Sequence, residues 1–150
     1  MSARWVSWAD FHDAAPELAE FGKERLAGSA PAYLATVRGG ALPRVHPVQP
    51  IVSPSRLLLF MFPTSPKAHD LQSDGRFGLH CAVADNDGSG GEFFLRGRAR
   101  LVTDGAVRAE ATEWGYEPRP EYILFELGLE QAVANEYQGG NPSYRRWRAP

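Results

Sequence analysis

From Trp8 to Leu26 the apolar residues Phe11, Ala14, Ala15, Leu18, Ala19, Phe21 and Leu26 recur at roughly helical spacing, with acids and Lys23-Glu24-Arg25 between them. The pattern predicts either one amphipathic helix over about 8–27 or a pair in which Pro16 opens the second member. Gly28 and Pro31 end it, and the apolar period then shortens. Ala32–Arg38 reads as a strand, Gly39-Gly40 as a tight turn and Leu42–Gln49 as a second strand. Pro47 and Pro50 cannot donate to a ladder, so the far end of that strand is an edge, a bulge or a barrel opening. The unbroken apolar run within Arg56–Phe62 predicts a strand covered on both faces.

A short helix from Pro66 to about Ser73 follows, closed by Asp74-Gly75. Arg76–Val83 and Glu92–Val102 read as strands joined by a polar loop over 85–91. Asp104 is placed to cap a helix over Ala106–Trp114, which Pro118 and Pro120 terminate. Tyr122–Leu127 makes a sixth strand and Gln131–Tyr137 a seventh, before a turn at Gly139-Gly140-Asn141-Pro142 and a tail to residue 150. Strands that arrive as consecutive antiparallel neighbours argue against a doubly wound parallel sheet. The expectation is a mainly β chain, a small barrel of about six strands with peripheral helices, because closure removes unpaired strand edges.

At 150 residues and 43% hydrophobic content the chain is read as one domain over 1–150 with a substantial core. A net charge of −2 creates no global field for nucleic acid or an anionic membrane, although Arg145, Arg146 and Arg148 cluster locally. Neither partner is expected. Cys81 is the only cysteine, which excludes an intramolecular disulfide and a multi-cysteine metal site. With no apolar run of signal or membrane length, a cytoplasmic protein is expected. Two lysines stand against fourteen arginines, so Lys67 is conspicuous.

The chemistry concentrates in two segments, Pro43-Arg44-Val45-His46-Pro47-Val48 and Thr64-Ser65-Pro66-Lys67-Ala68-His69-Asp70-Leu71. Ser65 suits an N-cap and Pro66 the first helical position, which sets Lys67 beside unpaired N–H groups at the positive end of a helix. A cationic strand facing such a helix start outlines an anion site, and phosphate is the commonest biological anion. His46 is either a ligand contact or proton donor, or a partly buried structural histidine. His12, His69 and His80 fall on separate elements without metal-ligand spacing, so no metal site is assigned. Cys81, within an apolar strand, reads as a small buried hydrophobe. Gly88-Ser89-Gly90-Gly91 lacks the Gly-Lys-Ser/Thr of a P-loop, and there is no Gly-x-Ser-x-Gly elbow.

The order of helix, strand, Pro43–Pro47 strand, apolar strand, Ser65-Pro66-Lys67 helix and Gly91-Glu92-Phe93-Phe94-Leu95-Arg96-Gly97 strand resembles the pyridoxamine 5′-phosphate oxidase-like proteins, the FMN-binding split barrels. The resemblance runs from about Leu18 to Val102 and is loose beyond. It implies a six-stranded antiparallel split β-barrel that forms a homodimer, with FMN, or in some branches a 5-deazaflavin coenzyme, in a groove between subunits. Carried onto this sequence, it sets Arg44 and the backbone of Val45, His46 and Pro47 along the cofactor. Arg44, Ser65 and Lys67 then address the phosphate, while His46, Pro47 and Glu92 line the ring. Relatives often carry glutamine where Glu92 stands. The implied function is an FMN-binding oxidoreductase passing hydride or electrons between flavin and a small molecule. The alternatives are a deazaflavin-dependent reductase or a non-enzymatic flavin- or haem-binding protein. No catalytic acid or base is assigned, because the cofactor carries the chemistry. The tail, with Tyr144, Trp147 and the three arginines, either covers the partner's cofactor or frays.

Overall fold

The computed structural model describes residues 4–28, 30–138 and 141–150. The helical segment is the broken pair. α1 (Trp8–Ala14) starts at Ser7, whose hydroxyl accepts from the Asp10 N–H while the Asp10 carboxylate accepts from the Ser7 N–H. α2 (Pro16–Leu26) starts at Pro16, where the missing N–H costs nothing. Trp8, Phe11, Leu18, Phe21 and Leu26 face the barrel and are buried.

β1 (Ala32–Arg38) and β2 (Leu42–Val48) form a hairpin in which Arg38 pairs with Leu42, so the turn has three residues, Gly39-Gly40-Ala41, rather than two. Gly40 and Ala41 both have positive φ, +81° and +61°. After Gln49-Pro50 the chain continues as β3 (Ile51–Val52), then β4 (Leu57–Met61), α3 (Pro66–Ser73), β5 (Arg76–His80), β6 (Glu92–Val102), α4 (Gly105–Trp114), β7 (Ile123–Gln138) and β8 (Asn141–Arg148). The antiparallel order β2-β1-β5-β6-β7-β4-β3 begins and ends on consecutive pieces of chain. β2 and β3 are therefore one strand bent at Pro50, pairing with β1 at one end of the sheet and β4 at the other. Counted that way, six strands close the barrel, and the closure is split at the prolines that cannot donate. The fold is mainly β with peripheral helices, as the sequence predicts.

The apolar run of β4 has the expected double cover. Leu57, Leu59 and Met61 belong to the main core, whereas Leu58 and Phe60 join Ile51, Ala111 and Leu124 under α4. α4 begins one residue before the expected start, with Asp104 accepting from the Ala106 N–H at 2.8 Å.

Two expectations for the last third are corrected. The sixth and seventh strands are one continuous β7, paired with β6 along its length. A register shift between Arg96 and Gly97 absorbs one extra β7 residue, and Gly97 there lies against the Gly128 carbonyl with no room for a Cβ. Nor is the end of the chain a tail. Gly139 and Gly140 lie outside the described residues, but Asn141–Arg148 pairs with β7 from Gln131 to Gln138, on the edge that β4 leaves free. Trp147 anchors β8 by packing its ring 4.9 Å from that of Phe11. No helix among the described residues is long and apolar enough to cross a membrane.

Candidate functional site

From Pro43 onward β2 alternates. Pro43, Val45 and Pro47 present exposed side chains on the outer face of the sheet, whereas Arg44, His46 and Val48 are half-buried on the inner one. The register fixes what lies beside them: Arg44 opposes Thr36 and His46 opposes Leu34. α3 covers this end of the barrel and sends the buried Asp70 down onto β1 and β2.

The Asp70 Oδ2 accepts the Thr36 hydroxyl at 2.7 Å and Arg44 Nε at 2.9 Å. Thr36 Oγ1 also lies 3.3 Å from His46 Nε2. Thr36 and Asp70 are 1% and 5% exposed, so their polar atoms are removed from water and these bonds replace hydration. Arg44 donates only through Nε. Among the described residues, nothing takes its two terminal amino groups.

Lys67 stands in the first turn of α3, half-buried, with no carboxylate at ion-pair distance among the described residues. Its field is felt at His46, whose pKa is held below its ordinary value first by burial, then by the charges of Lys67 and Arg44, with Asp70 opposing. Two cations against one carboxylate leave the cluster with an excess positive charge, and His46 tends to stay neutral within it.

Ser65 caps α3 as predicted, but its hydroxyl is committed locally. Its Oγ donates to the Phe62 carbonyl at 2.8 Å and accepts from the Ala68 N–H at 3.3 Å. Glu92 opens β6 elsewhere. His46, Leu34, Leu79 and Leu95 share one register line across β2, β1, β5 and β6, and Glu92 stands three residues from Leu95. It is therefore on the outer face, three strands from His46, where its carboxylate accepts from Asn135 Nδ2 at 3.2 Å. One chain thus brings Arg44, His46 and Lys67 together, with Ser65 at the start of the same helix, and keeps Glu92 apart. His80, near Glu92, has its pKa raised to about 9, first by hydrogen bonding to the Cys81 side chain against the cost of burial, with the Cys81 backbone and Glu92 adding.

Sequence reasoning missed Thr36 and Asp70. The available signal for Thr36 was a hydroxyl at an inward position, two residues after Leu34 in an alternating strand; for Asp70 it was the i, i+3 spacing from Lys67, which places both on one helix face. The 85–91 loop is not an anion cradle: the Asp85 carboxylate already accepts from the Asp87 and Ser89 N–H groups and from the Ser89 hydroxyl.

The residues present suit the phosphate end of a flavin mononucleotide. A phosphate dianion accepts charge-assisted hydrogen bonds, and the free amino groups of Arg44 and the unpaired Lys67 can supply them. The buried Asp70 is shielded from such a ligand by the Arg44 guanidinium it holds.

No protein-family model and no curated protein match the sequence. Solved structures do match the fold. A haem-binding protein from Mycobacterium smegmatis aligns with a TM-score of 0.69 at 17% identity, covering 87% of this chain and 57% of that one. A candidate pyridoxamine 5′-phosphate oxidase from Listeria innocua aligns at 0.61 with 14% identity, covering 75% and 94%. The general stress protein 26 of Bacillus anthracis aligns at 0.59 with 16% identity, covering 83% and 95%. At these identities the likeness establishes the fold alone, a mainly antiparallel split barrel with peripheral helices that this chain shares with those proteins.

Proposed function

We propose that the chain is a homodimeric FMN-binding oxidoreductase that holds the cofactor phosphate between Arg44 and Lys67. The observation that carries this reading is the gathering of Arg44, His46 and Lys67 at the α3 end of a split barrel, with an unpaired lysine and an excess of positive charge. Bound there, FMN supplies hydride or electron transfer to a small molecule. The chain's own residues bind and orient it. Arg44 and Lys67 fix the phosphate, Ser65 contributes by shaping the helix start, and the Val45–Pro47 backbone, paired with β1 on one side, offers its other edge as the end of the sheet order.

The outer sheet face supports the dimer. Tyr33, Ala35 and Val37 of β1, Val45 of β2, Phe94 of β6 and Val133 of β7 form a broad, partly exposed apolar surface, with Tyr33 46% and Val45 66% exposed. Since Glu92 lies on that face and not beside His46, Glu92 of the partner subunit fills the ring-side position in this reading.

The test is the visible absorption spectrum of the purified protein, with any released chromophore identified by mass. FMN, already bound or taken up on addition, is the expected result; a colourless protein that binds no FMN overturns the reading. The likeness to a haem-binding protein makes haem the second reading. A released haem or 5-deazaflavin reassigns the cofactor. Turnover with a reduced nicotinamide then separates a reductase from a carrier.

A further inference from the structure

Thr36 has a single hydroxyl proton and two neighbours for it. Its Oγ1 donates to Asp70 Oδ2 at 2.7 Å, a distance at the centre of the O–H···O range, and that oxygen also takes the Arg44 Nε proton at 2.9 Å. With its proton committed, Oγ1 can meet His46 Nε2, 3.3 Å away, only as an acceptor. Nε2 must then carry a hydrogen. The other ring nitrogen, Nδ1, has no partner among the described residues.

Resting on the cofactor reading above, we infer that Asp70 and Thr36 are positioning residues that hold His46 as its Nε2–H tautomer, so that Nδ1 is a hydrogen-bond acceptor beside the Arg44–Lys67 anion site. The ligand this site takes carries an N–H or O–H donor as well as an anionic group. Bare phosphate satisfies half of it, whereas a flavin mononucleotide, with ring N–H and ribityl hydroxyl donors, can satisfy both. The charged groups acting on His46 are consistent with this assignment. Lys67 from α3 and Arg44 from β2 disfavour the imidazolium, and Asp70 from α3 favours it more weakly. Asp70 therefore does two things through one oxygen: it orients the guanidinium by Nε, and through Thr36 it fixes the imidazole.

Nitrogen-detected imidazole NMR on the full-length protein without added cofactor reads the tautomer directly. At neutral pH the expected pattern for His46 is a protonated Nε2 and an unprotonated Nδ1. An Nδ1–H tautomer, or an imidazolium, in the wild type overturns the inference without recourse to any variant. Thr36→Val should release the ring into a tautomer mixture, and Thr36→Ser should restore the wild-type pattern; a valine variant that keeps it refutes the role of Thr36. Saturating FMN should move the Nδ1 resonance several times further than saturating inorganic phosphate, and equal movement removes the donor from the ligand description. Failure to bind FMN, seen by fluorescence, refutes both the cofactor reading and the flavin half of this ligand description, while the tautomer result stands independently.

Discussion

Arg44 Nε donates to the buried Asp70 Oδ2 across 2.9 Å, joining the edge strand of the barrel to the helix that covers its end. The aspartate is 6% and the arginine 33% exposed in their side chains, so the pair is partly shielded from water. Truncating Asp70 strands two donors at once, the Thr36 hydroxyl and the Arg44 guanidinium. Asp70→Ala should cost about 2–4 kcal/mol, the range for removing one partner of a hydrogen-bonded ion pair, lowered for the exposure of Arg44. Asp70→Asn, which keeps an acceptor oxygen, should cost less than half as much. Urea midpoints of the two variants check this, and a loss under about 1 kcal/mol for the alanine would mean that the pair is not what seats α3.

Lys67 has no carboxylate partner to lose among the described residues, so its removal separates binding from folding. Lys67→Ala should leave the folding stability, followed by urea unfolding, within about 0.5 kcal/mol of wild type. FMN affinity should nevertheless fall about 10-fold or more, the scale of a charge-assisted hydrogen bond. Riboflavin, which has no phosphate, should bind both proteins alike. Titration by flavin fluorescence measures both ligands, and equal losses for the two would remove Lys67 from the phosphate.

Much of this architecture is legible in the sequence because its signals are local. Unbroken apolar residues over Leu57–Met61 mark a strand with two buried faces, and Ser65-Pro66 marks a helix start. The halves of the cation cluster are visible for the same reason. Asp70 is not, since an acid on a short helix looks like a solvated residue until the helix is laid over Thr36, which is 34 positions away in sequence. Glu92 shows the converse limit. Its order in the chain is readable, but its face depends on the pairing registers of three strands. β8 was hidden because Pro142 and three arginines dilute its pattern, and what stabilises it is pairing with the free edge of the preceding strand, β7, and the ring of Phe11, which is remote in sequence.

If the outer face is the subunit interface, charge placed on it should dissolve the dimer without unfolding the barrel. Tyr33 is suited to this, being 46% exposed on β1 between Pro47 and His80. Wild-type protein should sediment at twice the chain mass, and Tyr33→Glu at the mass of one chain with a native far-ultraviolet spectrum. FMN affinity should fall with the dimer, because the proposed site takes its ring side from the other subunit. A wild-type monomer that binds FMN fully would reject the shared site.

The two perturbed histidines impose opposite pH dependences. His46 is held below the ordinary histidine value of 6.5, so the unfolded chain binds its proton more readily and folding stability declines as pH falls below about 6.5. His80 is raised from 6.5 to about 9, so the stability it contributes is present below about 6.5 and is lost as pH rises through about 9. Replacing each by glutamine should therefore tilt the difference from wild type in opposite senses. His46→Gln should gain on wild type as the solution is acidified below pH 6.5. His80→Gln should be less stable than wild type near pH 6, with the gap closing toward pH 9. Urea midpoints across this range, at one protein concentration so that association is constant, make the comparison. Parallel profiles for a variant and wild type would mean that the histidine concerned titrates alike in the folded and unfolded chains.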